Sequence, residues 1–261
     1  MMQLEICIDS VESAIASERG GADRVELCSD LMEGGITPSA GLIATVRRSV
    51  GIGVFVMIRP RGGDFCYTEA EFAVMQEDIR RARDLGADGV VLGILEENAM
   101  VDVARTAALV RLAAPLQVTF HRAIDMTPDP ATALPAVIET GARRVLTSGG
   151  AARVPEALDT VARMVATAGE RLAVMVGSGI NPETIAAVAE ATGASEFHAA
   201  LRTPSPSPVR YRKDGVAMGD IPDREYLRFV VHEERVRALS AAVVRLAQER
   251  GATTSNRSSA R

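Results

Sequence analysis

The sequence has few cysteines, and their positions do not suit a cross-linked or zinc-stabilised fold. Cys7, Cys28 and Cys66 are the only three in 261 residues, and no two of them form a CxxC pair. Their odd number and wide spacing exclude a zinc finger and argue against a disulfide framework. We therefore expect free thiols in a reducing cytoplasm.

Long hydrophobic runs and an excess of positive charge are also missing. No stretch reaches the ~18 apolar residues of a membrane span, and the opening residues Met1–Glu5 lack the basic segment of a secretory signal. The formal net charge of -5 argues against a nucleic-acid partner, which would favour a basic surface. We expect neither a membrane nor a nucleic-acid partner. The subunit number stays open, including assembly as a homo-oligomer.

Eight short apolar segments alternate with stretches of helical periodicity. They lie at Gln3–Ile8, Arg24–Cys28, Gly53–Arg59, Asp88–Ile94, Leu116–His121, Arg143–Ser148, Leu172–Gly177 and Ser195–Ala200. Helical periodicity is clear at Thr68–Leu85 and Asn181–Thr192. Strict alternation indicates an α/β fold with a parallel sheet, and eight units predict a (β/α)8 TIM barrel. A doubly wound open sheet is the alternative.

A Gly-Ala pair precedes every second predicted strand. The four glycines are Gly21, Gly86, Gly141 and Gly193. Each is expected to take the left-handed conformation that ends a helix. A period of two βα units suits a barrel whose odd and even strands alternate in layers, although Gly-Ala is also common at such turns.

The C-terminal part departs from this pattern. Thr203–Pro208 has proline at every second position and is expected to form a loop. Apolar spacing predicts a final helix over Asp223–Glu249, and the small, polar residues 251–261 predict a short disordered tail. The sequence thus predicts a single domain over residues 1–250.

Alternation along the predicted strands places polar side chains inside the barrel. In the first strand Leu4 and Ile6 share one face, whereas Glu5 and Cys7 share the other. Helices cover the outside of a barrel, so the apolar face must point outward. The same rule turns further side chains inward: Arg24, Glu26, Cys28, Met57, Arg59, Thr119, His121, Glu196 and His198. An ion-pair network at the barrel floor and a functional site are both compatible with these charges.

Several segments, in order along the chain, resemble the CutC copper-homeostasis family. They are Glu5–Ser10, Val25–Ser29, Glu33–Ser39, Met57–Phe65, Phe120–Asp125, Leu146–Gly149, Gly177–Ile180 and Glu196–His198. The resemblance implies a TIM barrel, a role in copper tolerance or storage, and copper binding, but no particular reaction. The chain departs from the family at Ala199-Ala200, where a serine is common, and at Cys66, which is not a family cysteine.

A soft metal is the first ligand that the interior side chains suggest. Cys7 and Cys28 are predicted on neighbouring strands ~4.8 Å apart, close enough for two thiolates to hold one Cu(I) ion. Met57 and Met175 are expected nearby as soft auxiliary ligands. The alternative is that both cysteines are simply small buried hydrophobic residues.

A small anion is the second candidate ligand. Gly177 and Gly179 belong to a glycine-rich loop after the seventh strand, where many barrels bind phosphate. Arg59 and Arg61 are predicted to clamp a carboxylate or phosphate, with Ser148 on the same rim. Acid–base chemistry is assigned to five residues: His121, Asp125, Glu26, Glu196 and His198.

Two functions therefore stay open. One is Cu(I) binding in the cytoplasm through inward-facing cysteines. The other is a barrel isomerase, lyase or hydrolase that acts on a small anionic substrate, phosphorylated compounds included. The chain contains no HExxH, Walker A or GxSxG string, so the reaction class of such an enzyme is undefined.

Overall fold

Eight parallel strands close into a barrel in which β1 pairs with β8. The computed structural model describes residues 2–213, 215, 216, 218 and 224–258, with side chains to residue 251. The barrel strands are β1 (Gln3–Ile8), β2 (Arg24–Leu27), β3 (Gly53–Met57), β4 (Gly89–Leu92), β5 (Gln117–Phe120), β6 (Arg144–Thr147), β7 (Ala173–Val176) and β8 (Glu196–Ala199). Each matches a strand predicted from the sequence to within two residues at either end. The predicted TIM barrel is confirmed, and the open-sheet alternative is wrong.

Helices follow the strands and cover the barrel. They are α1 (Val11–Arg19), α2 (Ala40–Ser49), α3 (Glu69–Asp84), α4 (Val103–Ala113), α5 (Pro130–Glu139), α6 (Leu158–Ala168) and α7 (Ile185–Thr192). The start of α3 is encoded locally, because Thr68 and Glu71 form a reciprocal capping box. All four glycines of the Gly-Ala pairs have positive φ, between 75° and 87°, as predicted.

The apolar core lies between the strands and the helices. Leu4, Ile6 and Ile8 are buried in this layer, which confirms the predicted outward face of β1. A second, smaller apolar cluster lies inside the barrel and consists of Cys7, Cys28, Phe55, Met57 and Val91. The barrel interior is therefore mostly polar, with one soft, sulfur-rich patch.

The segment after β8 forms a hairpin rather than the predicted loop and helix start. Strand β9 (Arg202–Pro206) pairs antiparallel with β10 (Leu227–Val231). Proline occupies every second position of β9, so the residues between the prolines can supply the N–H donors; Ser207, for example, donates to the Tyr226 carbonyl at 2.9 Å. This arrangement is tolerated only on an edge strand.

The last helix, α8 (Glu233–Ser258), begins ten residues later than predicted and packs against α1, α7 and β1. The predicted first residue, Asp223, lies outside the described residues, and Leu227–Val231 is a strand. Helix α8 includes residues 251–258 of the predicted disordered tail, and residues 259–261 lie outside the described residues. Among the helices described here, none has the length and apolar character needed to cross a membrane.

Candidate functional site

The carboxyl ends of the barrel strands open into a cavity of about 630 Å³, which we call the mouth. Functional sites of TIM barrels lie at this end. The mouth brings together seven of the residues singled out in the sequence: Cys7, Glu26, Arg59, His121, Asp125, Gly179 and His198. The other predicted site residues, Cys28, Arg61, Ser148, Gly177 and Glu196, do not line it.

Cys7, Glu26 and His198 form a compact buried group in the mouth. One candidate ligand atom from each lies within 4.8 Å of the others. The strand register explains this proximity, because Cys7 is paired with Glu26 on β2, and β8, which carries His198, lies on the other side of β1. Thiolate, imidazole and carboxylate groups are all metal ligands, so the group is a candidate metal centre.

Glu5 holds the His198 ring in place from below. His198 Nδ1 lies 2.8 Å from Glu5 Oε1, and its Nε2 lies 3.6 Å from Glu26 Oε2. Burial raises the pKa of Glu5, but the hydrogen bond from His198 and the charge of Arg24 outweigh it and lower this pKa to about 2. The ionised Glu5 thus orients the imidazole, as carboxylates do behind metal-binding histidines.

Cys28 lies against Cys7 in the interior apolar cluster. The neighbouring Cys28 thiol is the main cause that lowers the pKa of Cys7 to about 5; burial opposes it, and His198 assists. The pairing with Cys7, together with burial, raises the pKa of Cys28 well above its usual value. The two side chains are neighbours, as strand alternation predicts, and the Cys28 thiol donates to Glu26 Oε2 at 3.7 Å.

Glu26 and His198 both hold protons strongly. Burial, and then the negative charge of Cys7, raise the pKa of Glu26 well above its usual value, and Glu26 Oε1 has no partner within the described chain. Burial lowers the pKa of His198, but Glu26, Cys7 and Glu5 outweigh it and raise this pKa well above its usual value. Metal binding releases protons from such groups, so a cation can replace them here.

Glu196 lies at the opposite end of the barrel from the mouth, which corrects its assignment as a catalytic residue. It is the first residue of β8 and forms ion pairs with Arg24 and Arg144. Arg24 also pairs with Glu5 at 2.6 Å and donates to Met175 Sδ at 3.1 Å. These residues form the floor of the barrel, so Met175 is a floor residue and not an auxiliary ligand of the thiols.

Arg59 and Arg61 diverge, contrary to the predicted clamp. Arg59 lines the mouth, whereas Arg61 turns away and pairs with Glu71 at 2.6 Å and Asp64 at 3.1 Å. Strand β3 ends at Met57, so the alternation that would bring both arginines to the same side no longer applies. Arg61 is therefore removed from the anion-binding set.

Backbone carbonyl groups hold the Arg59 guanidinium. Nη1 donates to the carbonyls of Glu33 at 2.6 Å and Gly35 at 3.0 Å, and Nη2 donates to that of Gly63 at 2.8 Å. The guanidinium lies 5.0 Å from the Phe65 ring centroid. Arg59 forms no ion pair with any described carboxylate, and its buried Nε has no acceptor.

His121 is buried and neutral in the wall of the mouth. Burial, and then the charge of Arg59, lower the pKa of His121 to about 3. Its Nδ1 accepts from the Ala123 N–H at 3.2 Å, so the ring proton is on Nε2, which has no acceptor among the described residues. No hydrogen bond or ion pair joins His121 to Asp125 or Glu196, the partners expected for acid–base catalysis.

Asp125 and Ser148 belong to a saturated hydrogen-bond network between the loops after β5 and β6. Asp125 accepts from Arg122 Nε at 2.8 Å, Thr147 Oγ1 at 2.5 Å, Ser148 N at 2.9 Å and Gly150 N at 3.1 Å. Ser148 Oγ adds a further bond at 3.0 Å. The carboxylate thus joins the two loops, and these donors occupy both of its oxygens.

Gly177 acts by making space rather than by binding an anion. Its N–H already donates to the Thr147 carbonyl at 3.0 Å. A Cβ at Gly177 would lie 2.8 Å from Leu146 Cδ1 and 3.3 Å from His198 Cβ, so only glycine leaves room for the histidine. Gly93 plays the same role for His121, because a Cβ there would lie 2.7 Å from the ring.

Gly179 lines the mouth with a positive φ of 88°, but no helix begins directly behind it. Helix α7 starts at Ile185 and not at Asn181. Asn181 Oδ1 accepts from the N–H groups of Glu183 and Thr184 and forms a separate turn before the helix. The N-terminus of α7 is therefore about one turn further from the predicted phosphate-binding loop than the helical periodicity indicated.

Comparison with known proteins identifies relatives along most of the chain. The model of the CutC family matches residues 2–203. A CutC family protein of Chromobacterium violaceum is 49% identical over 240 residues, which cover 92% of this chain and 97% of the relative. The copper homeostasis protein cutC homolog of Mus musculus is 47% identical over 239 residues, which cover 91% of this chain and 88% of the relative.

Solved structures agree with these matches. The crystal structure of the CutC protein from Streptococcus agalactiae superposes with a TM-score of 0.72 at 34% identity, over 76% of this chain and 98% of that chain. Thiamine phosphate pyrophosphorylase from Pyrococcus furiosus superposes with a TM-score of 0.57 at 15% identity, over 94% of this chain and 96% of that chain. The second likeness shows the barrel fold alone.

Proposed function

The chain belongs to the CutC family, and on that premise we propose that it is a copper homeostasis protein that binds Cu(I) in the mouth through Cys7. The observation that carries this proposal is geometric: Cys7, Glu26 and His198 each bring one candidate ligand atom to within 4.8 Å of the others, with Cys28 in the cluster around Cys7 and the imidazole held by Glu5. The thiolate is the form of cysteine that binds metals, and the groups around Cys7 lower its pKa to about 5. These neighbours therefore favour the form of Cys7 that a metal needs.

The surrounding donors favour Cu(I) over harder cations. Cu(I) prefers thiolate and thioether ligands and accepts imidazole. Cys7 supplies the thiolate, Cys28 supplies a second sulfur once it loses its proton, and Met57 lies in the same cluster. His198 offers Nε2, while the carboxylate of Glu26 is a poor Cu(I) ligand and serves as a hydrogen-bond partner. The three free thiols support a reducing cytoplasm as the proposed location.

An anaerobic Cu(I) titration against a coloured Cu(I) chelator tests the proposal. We expect Glu5→Gln to weaken binding by about 10- to 100-fold, because it releases the His198 ring. Cys7→Ser removes the thiolate itself and should weaken binding more than that. Cys66→Ser is the matched control, since this thiol lies outside the mouth, and it should leave binding unchanged.

A Cys7→Ser, Cys28→Ser double variant that binds Cu(I) as tightly as the natural chain would overturn the proposal. Preference for Zn(II) over Cu(I) in the same competition would do the same. The second outcome is informative, because cysteine, histidine and glutamate together also suit zinc.

A barrel enzyme that acts on a small anionic substrate is the second candidate function. The size of the mouth, about 630 Å³, favours it, because one metal ion fills only a small part of this volume. The two candidates differ in the residues on which they depend. Copper binding should survive His121→Phe and fail in Cys7→Ser, whereas turnover of an anion should show the reverse.

A further inference from the structure

We propose that Arg59 and His121 form a binding subsite for a small oxyanion, a carboxylate or a phosphate, in the wall of the mouth. The subsite goes beyond copper binding and does not rest on it, because neither residue belongs to the group around Cys7. It names the ligand class of the second candidate function.

The first observation is a buried positive charge without a counter-charge. Arg59 is only 5% exposed and has no carboxylate partner within the described chain. The other two buried arginines, Arg24 and Arg144, both pair with carboxylates. Backbone carbonyls supply Arg59 with partial charges only, and a buried ion is stable when it is fully paired. A bound anion would supply the missing charge.

The second observation is the set of hydrogen-bond donors that stay unused. A guanidinium has five N–H donors, and the carbonyls of Glu33, Gly35 and Gly63 take three of those on Arg59. Of the remaining two, the Nε–H has no acceptor within the described chain, and the hydroxyl of Tyr67, which also lacks a partner there, lies beside the guanidinium. A guanidinium N–H of this kind donates readily to an oxygen of a carboxylate or phosphate.

The third observation is the donor on His121. The Nδ1 edge of the ring faces Gly93 and Ala123, which leaves Nε2–H as its free polar group. Phe65 packs against both residues, since its ring centroid lies 4.8 Å from that of His121 and 5.0 Å from the Arg59 guanidinium. Both donors therefore belong to residues that lie beside one phenyl ring and line the mouth. Neither can pair with a cation, so the ligand must be an acceptor.

Carboxylates on the mouth wall do not cancel this positive charge. Asp125 is neutralised by Arg122, and Glu26 pairs with His198. Glu33 is exposed, and only its backbone carbonyl contacts Arg59. Arg235 of α8 also lines the mouth and adds positive charge at its rim.

Ring NMR of the histidines in metal-free Cys7→Ser protein tests the subsite directly. The chain has only three histidines, so the signals of His121 can be assigned with one variant. The probes are inorganic phosphate and malonate, added separately. We expect a saturable shift of the His121 Nε2 signal, while His232, which is exposed, stays unchanged.

Two variants and one control sharpen the test. Arg59→Gln and His121→Phe should each weaken binding of the probe, measured by calorimetry, by at least about tenfold, as expected for the loss of a charge-assisted hydrogen bond. Arg61→Gln should leave it unchanged, because Glu71 and Asp64 already occupy that guanidinium. The NMR measurement on unaltered Arg59 and His121 keeps the test valid if the Arg59 variant does not fold.

Each outcome decides the proposal. A saturable His121 shift with phosphate alone would mean that the subsite binds phosphate groups, and one with malonate alone would mean that it binds carboxylates. A saturable shift with both probes would mean that it binds oxyanions in general. No saturable shift with either probe overturns the proposal, as does equal weakening by Arg61→Gln. Because the protein carries Cys7→Ser, failure here leaves the copper proposal untouched, and failure of copper binding leaves this one untouched.

Discussion

The floor and the mouth of the barrel treat buried charge in opposite ways. On the floor, Arg24 and Arg144 share Glu196, and both guanidinium groups also lie about 5.5 Å from the Phe55 ring. In the mouth, Arg59 has no carboxylate and His121 has an unused donor. Closed networks of this kind are structural, whereas unsatisfied groups that face a cavity indicate a ligand. The same residue types thus have different roles at the two ends.

The largest expected effect comes from breaking the floor. Glu196→Gln leaves Arg144 without an anionic partner and Arg24 with Glu5 alone, so we expect a loss of about 3–5 kcal/mol in the free energy of unfolding, measured with urea. The matched control is Asp64→Asn, which removes an exposed partner of Arg61 and should change stability by less than about 1 kcal/mol. Equal losses would mean that the floor network is not structural.

A smaller effect is expected from crowding the mouth. Gly93→Ala places a Cβ 2.7 Å from the His121 ring, so we expect a loss of about 1–3 kcal/mol in the free energy of unfolding. The displaced ring should also weaken phosphate or malonate binding. Gly41→Ala is the control, because a Cβ in α2 meets nothing closer than 3.9 Å. Equal free energies of unfolding for the two variants would mean that the space around the His121 ring can accommodate a methyl group.

The effect that is smallest per step is a pH dependence of stability that His121 contributes, since it builds up gradually over more than one pH unit. The pKa of His121 is about 3 in the fold, against 6.5 ordinarily, so below pH 6.5 the unfolded chain binds a proton that the folded chain refuses. Stability should therefore fall with decreasing pH by up to about 1.4 kcal/mol per pH unit. His121→Phe should remove this part of the pH dependence, since the other titrating groups are common to both proteins. The free energy of unfolding is measured with urea at several pH values between 6 and 4, and an equal pH dependence in the two proteins would contradict the assignment.

Strand alternation predicts the interior well where one face of a strand is clearly apolar. The rule places Cys7, Cys28 and His198 together, because β1, β2 and β8 each have an apolar outward face. It misses Arg144, since Leu146 lies on the same inward face of β6 and hides the polar pattern. For that reason one member of the floor network, Arg144, could not be seen in the sequence.

Loop geometry limits the prediction of the site more than the strands do. Arg61 lies two residues after Arg59, but the strand has already ended, so spacing gives no direction. Asp125 looks like an acid–base group, yet backbone N–H groups from another loop saturate it. The apolar run at Leu227–Val231 fits both helical and strand periodicity, and only its pairing with β9 decides between them.

The buried floor and the open mouth give the barrel interior two unlike ends. Arg24, Arg144 and Phe55 are all buried beneath Glu5. Cys7 lines the same cavity as Arg59 and His121, so a ligand that enters from the mouth passes these two residues on its way to the thiol. An anion bound at these residues would obstruct the passage. Its concentration would then control the rate at which copper binds and dissociates, even where the equilibrium affinity for copper is unchanged.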